Sequence, residues 1–254
     1  MKKESKKSQI TIFVIFALII VVGVILAVTI LRGPSSRVTA IGDPHAYVQN
    51  CIKENLAVIE SEIIEGNLYR NVTDNYILYE NKKIKYLCKT SQFYMPCVNQ
   101  EPMLVEHVKR EISSYMEPKT KECFALLVSA VKRAGYEVEE GNLSMSIEFS
   151  KSSVKENVNK KVILKKANDI KVFNDFSAEI LSPIYLLADN ARSILNYESA
   201  LCEFNNVRWM LYYKDVDVKR FVTSDQSKIY TVSDKTSQKK FIFAVKSCTL
   251  PAGI

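Results

Sequence analysis

The hydrophobic pattern changes rhythm four times along the chain. Residues 10–31 are apolar on every side and carry no charge. As a helix rising about 1.5 Å per residue they would span roughly 33 Å, the depth of a bilayer core. Beyond them apolar residues recur at helical spacing. Val48, Ile52, Leu56, Ile59 and Ile63 predict a helix from about 44 to 65, opened by Asp43-Pro44 and closed by Gly66. Tyr76–Tyr79 and Ile84–Leu87, either side of a polar turn, predict a hairpin. Two more helices follow, from 101 to 116 and from 118 to 134, separated at Glu117-Pro118.

From 136 to 173 the period falls to two. Met145, Ile147 and Phe149 alternate with polar residues, which predicts an antiparallel meander with one wet face. Ile180, Ile184, Leu187, Ala191, Ile194 and Leu195 restore helical spacing from 175 to about 204, with Pro183 as a kink or a late start. Strands are expected at 208–221, 228–232 and 240–245. The fold class is therefore α+β: a single N-terminal transmembrane helix, then an extracytoplasmic domain of helices packed on antiparallel sheets. The divisions are a cytoplasmic basic tail at 1–9, the helix at 10–31 and a linker at 32–42. A helix-rich part at 43–135 and a strand-rich part with one long helix at 136–254 complete the chain.

Charge supports that orientation. Lys2, Lys3, Lys6 and Lys7 precede the apolar run, while only Arg32 and Arg37 follow closely, so the N-terminus is expected inside and the rest outside. A cleaved signal peptide is the alternative, but its core is usually shorter. The net charge of +7 is concentrated in the first 37 residues. The remainder is nearly neutral, which argues against nucleic acid as a partner.

All six cysteines lie beyond the apolar run, and an even number outside a membrane suggests disulfides. Cys51 and Cys123 fall on helices able to pack together. Cys88 and Cys97 would close a local loop. Cys202 and Cys248 would tie the last strand to the long helix. Zinc is disfavoured, because no CxxC occurs and His45 and His107 are the only histidines. Asn71 and Asn142 head N-x-S/T sequons, candidate glycosylation sites on an external surface.

Candidate chemistry is sparse. The seven glycines form no phosphate-binding loop, and neither HExxH nor GxSxG occurs. Glu139/Glu140 and Asp215/Asp217 read as surface pairs rather than acid–base partners. No catalytic residue, cofactor or metal is expected. Tyrosine is abundant: Tyr69, Tyr76, Tyr79, Tyr86 and Tyr94 cluster, and Tyr212/Tyr213 follow the single Trp209. Such residues make either half-buried strand positions or a recognition surface.

The segment Lys6-Lys7-Ser8-Gln9-Ile10-Thr11-Ile12-Phe13 resembles the N-termini of uncharacterised membrane-anchored surface proteins of small-genome (DPANN) archaea. It is also similar to the class III signal sequence of type IV pilin-like proteins. The resemblance implies a processing site between Ser8 and Gln9. The fifth residue after that cut is Phe13, where pilin stems carry Glu. The expected function is a single-pass, membrane-anchored cell-surface protein with a structural, adhesive or pilin-like role. The expected partners are the lipid bilayer and other envelope or pilus proteins. The alternative is an anchored extracellular enzyme or a ligand-binding module.

Overall fold

The computed structural model describes residues 42–70 and 72–251. Helix α1 (Pro44–Glu65) buries the stripe Val48, Ile52, Leu56, Ile59 and Ile63. It ends at Gly66, whose Cα lies so close to the Tyr69 carbonyl that a Cβ would fall 1.9 Å from that oxygen. No larger residue fits there without moving the backbone.

Strands β1 (Tyr76–Tyr79) and β2 (Lys82–Lys89) form the expected hairpin, followed by the short β3 (Val98–Asn99). Helix α2 runs unbroken from Leu104 to Arg133, so the two helices expected at 101–116 and 118–134 are one. Pro118 costs an intrahelical hydrogen bond, about 3 kcal/mol in an exposed helix. It lies on the solvent side, where water can satisfy the freed carbonyl. The buried series Val108, Ile112, Met116, Thr120, Phe124, Leu127 and Val131 continues past it against α1. Packing along that face outweighs the local break. Gly135, at φ +83°, ends α2, and Tyr136 N–H bonds back to the Val131 carbonyl.

The expected meander is instead two separate three-stranded sheets. One has the order β4 (Glu137–Glu140), β7 (Val162–Lys166), β8 (Asp169–Phe173). The other has the order β5 (Ser144–Phe149), β6 (Ser153–Asn159), β9 (Phe176–Leu181). The β5–β6 hairpin is inserted between β4 and β7, so sequence neighbours are not all sheet neighbours. β9 also corrects the expected long helix. Residues 176–181 alternate along β6, and helix α3 starts only at Ile184, just after Pro183, and ends at Leu201. The start of the strand expected at 208–221 is helix α4 (Asn206–Tyr212), capped by the Asn205 side chain, which accepts from Arg208 N–H at 2.8 Å. Its aromatic composition reads as strand, but the cap sets a helix.

The last strands, β10 (Val216–Val222), β11 (Lys228–Asp234) and β12 (Lys240–Lys246), join the first hairpin. The sheet order is β1-β2-β12-β11-β10, with β3 also on β2. The β2–β12 pair is parallel, so this sheet is mixed rather than antiparallel. Strands from both ends of the chain thus share one sheet, and from Pro44 on the chain is one unit with no boundary near 135. Helix α3 covers one sheet face and packs on α2 behind. On the other face Ile84, Tyr86, Ile229, Ile242 and Ala244 form a second small core. Tyr79 and Phe221, from opposite edge strands, stand 5.5 Å apart between ring centres, so the sheet curls until its edges meet.

Among the described residues no helix is long and apolar enough to cross a membrane. The longest, α2, is amphipathic and charged on its outer side. The expected fold class, with a transmembrane helix as its first element, is therefore corrected to an α+β domain. The segment 10–31 lies outside the described residues.

Candidate recognition surface

The parallel strands β2 and β12 both run toward one end of the large sheet, and two disulfides are placed there. Cys88, at the end of β2, bonds to Cys97 and closes the loop between them. Cys248, just past β12, bonds to Cys202 at the end of α3. The loop is tied to the C-terminal segment along its length. Thr90 N–H donates to the Lys246 carbonyl at 3.0 Å and Tyr94 N–H to the Thr249 carbonyl at 3.0 Å. Cys248 N–H returns a bond to the Met95 carbonyl at 2.9 Å. The Gln226 side chain clamps Leu250 through both its amide oxygen and its amide nitrogen. Backbone turns with positive φ at Tyr94, Cys202 and Cys248 fix the path.

The residues this frame presents are apolar. Phe93, Tyr94 and Met95 are consecutive and exposed at 52%, 57% and 50%. Leu250 and Val98 on the same segments, and Leu201 beside Cys202, are also exposed. A loop free to collapse would hide such side chains. Here the cross-links and main-chain bonds hold them in water, which removes much of the ordering cost of binding.

A buried polar network anchors the frame from beneath. Glu198 is fully buried on α3. Lys228 donates to both its carboxylate oxygens at 2.7 and 3.0 Å, and the Tyr230 hydroxyl donates to one of them. The same ammonium donates to the Cys202 carbonyl. Burial and the adjacent Glu198 charge push the Tyr230 phenol well above its usual range, so it remains a donor. Ser247 Oγ donates to the Glu198 main-chain carbonyl at 3.1 Å and accepts from Cys97 N–H at 3.0 Å. Both disulfides are thereby keyed to one buried ion pair.

Each expected cysteine pair is brought together; the third bond, Cys51–Cys123, links α1 to α2. The tyrosines divide. Tyr69 and Tyr86 are buried, whereas Tyr94, Tyr212 and Tyr213 are exposed. His45 stacks on Phe176 at 4.4 Å. The His107 ring lies tilted against Tyr69 at 4.6 Å, with Glu101 at 3.9 Å and Glu111 at 4.0 Å from its nitrogens. The acidic residues of the candidate pairs are held in ion pairs: Glu139 with Lys165, Glu140 with Lys160, Asp215 with Lys151 and Asp217 with Lys219. Among the described residues no three His, Cys, Asp or Glu side chains gather as metal ligands. Asn142 is exposed between β4 and β5, while Ser8, Gln9 and Asn71 lie outside the described residues. The projection of Phe93–Met95 was missed in the sequence. Its signal was three large apolar residues inside a short cysteine-closed loop. No family model, curated protein or solved structure matches the chain.

Proposed function

We propose that this domain is a non-catalytic structural or adhesive module of a cell surface, acting through loop 90–97. The observation that carries the reading is the exposed run Phe93-Tyr94-Met95, held by one disulfide and hydrogen-bonded to the segment of a second. Three disulfides suit the outer side of a membrane, where thiols oxidise. Placement at the cell membrane rests on those bonds and on the sequence. Assembly with envelope proteins, or with further copies in a pilin-like array, is the kind of contact such a loop serves. The test is co-sedimentation of the purified domain with envelopes of the source cell, for the native loop and for a Phe93→Ser/Tyr94→Ser/Met95→Ser variant. Retention of the native domain and release of the variant supports the proposal. Equal behaviour of the two rejects it.

A ligand-binding role has one observation in its favour. A cleft of about 490 Å³ opens at the start of α3, lined by Leu181, Leu186, Lys151, Asp215, Asp234 and Lys239. A small-molecule screen read by thermal unfolding, with Leu181→Lys as the blocked control, separates this role from the first.

A further inference from the structure

Helix α4 is built as NVRWMLY and none of its residues is buried. One side is fastened to the domain. Trp209 Nε1 donates to Asn190 on α3 at 2.8 Å, and its ring touches Tyr197, Phe204 and Tyr213. Asn206 donates to the Val218 carbonyl at 2.9 Å. The other side faces outward. Val207 and Leu211, one turn apart, are exposed at 64% and 69%, and Tyr212 at 73%. Leu201 and Tyr197, one turn apart on α3, extend the apolar area.

The charges bordering this face are unequal. Each carboxylate there already has a cation: Glu203 pairs with Arg220, Asp215 with Lys151 and Asp217 with Lys219. Arg208 and Lys214 make no ion pair among the described residues. The face therefore combines aliphatic tips, the exposed rings of Tyr212 and Tyr213, and two cations without an ion pair, with Trp209 half-buried at its base. That is the make-up of a helix lying in the headgroup region, with its apolar side among acyl chains and its cations on anionic lipid.

We infer that α4 and the end of α3 form a docking face for an anionic bilayer surface. The face shares Leu201 with the rim of the first surface but includes none of residues 90–97, so different substitutions test the two.

The chain carries one tryptophan, and it sits half-buried at the base of this helix, so Trp209 emission reports on a change of environment at the face. The domain is titrated with vesicles of phosphatidylcholine alone and of phosphatidylcholine with phosphatidylglycerol. Binding is followed by Trp209 emission and by co-sedimentation. The expected result is a blue shift and binding with the anionic vesicles only, weakened by salt. Val207→Ser/Leu211→Ser should reduce affinity about tenfold, because binding scales with buried apolar area. Arg208→Gln and Lys214→Gln should each reduce it about fivefold. All four side chains are exposed, and unchanged thermal unfolding verifies that the variants fold. The Phe93→Ser/Tyr94→Ser/Met95→Ser variant should bind vesicles as the native domain does. No vesicle binding, binding indifferent to the α4 substitutions, or a concentration-dependent dimer abolished by Leu211→Ser would each overturn the inference.

Discussion

Glu156 offers a quantitative test of how the interior is built. It lies on β6, fully buried, opposite Ile147 of β5 and Ala178 of β9. Its one partner is Thr120 on α2, whose hydroxyl donates to Oε1 at 2.6 Å; Oε2 has none among the described residues. Burial raises this carboxyl from 4.5 to about 7, and the Thr120 bond offsets only part of that. The folded state therefore keeps a proton that the unfolded chain releases near pH 4.5. Stability from this group is intact below that pH and falls by about 1.4 kcal/mol per pH unit above it. It levels off beyond pH 7 after a loss of about 3 kcal/mol. Glu156→Gln cannot ionise and keeps an acceptor for Thr120. Its amide nitrogen inherits the position without a partner, at a cost of about 1–3 kcal/mol that does not vary with pH. Urea unfolding at intervals from pH 5 to 8.5 should show the variant gaining about 2.5 kcal/mol on the native protein across that range. Parallel curves, within about 0.5 kcal/mol, would refute the picture of an unpaired buried acid.

Other substitutions probe the frame of the proposed surface. Lys228→Met leaves Glu198 buried with only Tyr230 as side-chain partner, and should cost about 3–5 kcal/mol in chemical denaturation. Removing the Cys51–Cys123 bond, which spans 72 residues, should cost about 4 kcal/mol, against about 3 kcal/mol for Cys88–Cys97, which spans 9. Equal losses would mean that the closed-loop length is not what matters. The Phe93→Ser/Tyr94→Ser/Met95→Ser variant should change stability by less than about 1 kcal/mol, because those side chains contact solvent. A large loss would show that they pack into the domain.

The parts legible in the sequence are those where one periodicity governs a long element. The stripe of α1 and the alternation of β1 and β2 fall where the apolar residues place them. Two cysteine pairs could be matched from the predicted elements that carry or adjoin them, and Cys88–Cys97 from its short spacing. Legibility failed where tertiary contacts overrule local signals. Pro118 reads as a helix end, yet α1 packs along the whole stripe and keeps α2 whole. Ile180 and Ile184 stand at helical spacing, but Phe176, Ala178 and Ile180 are strand positions of β9, paired to β6. Residues 206–212 look like strand because they are aromatic, and only Asn205 betrays the helix. At the candidate site the bracing cysteines were visible. The exposure of Phe93, Tyr94 and Met95 was not, because it depends on hydrogen bonds to residues 248 and 249, far along the chain.

The central claim is that this domain works outside the membrane, with a recognition surface made by its disulfides. The most direct measurement is the intact mass of protein taken from native membranes and alkylated with and without prior reduction. The account predicts no alkylation before reduction and six added groups after it, one for each cysteine. Six groups without reduction would place the chain in a reducing compartment and remove the frame on which the surface depends.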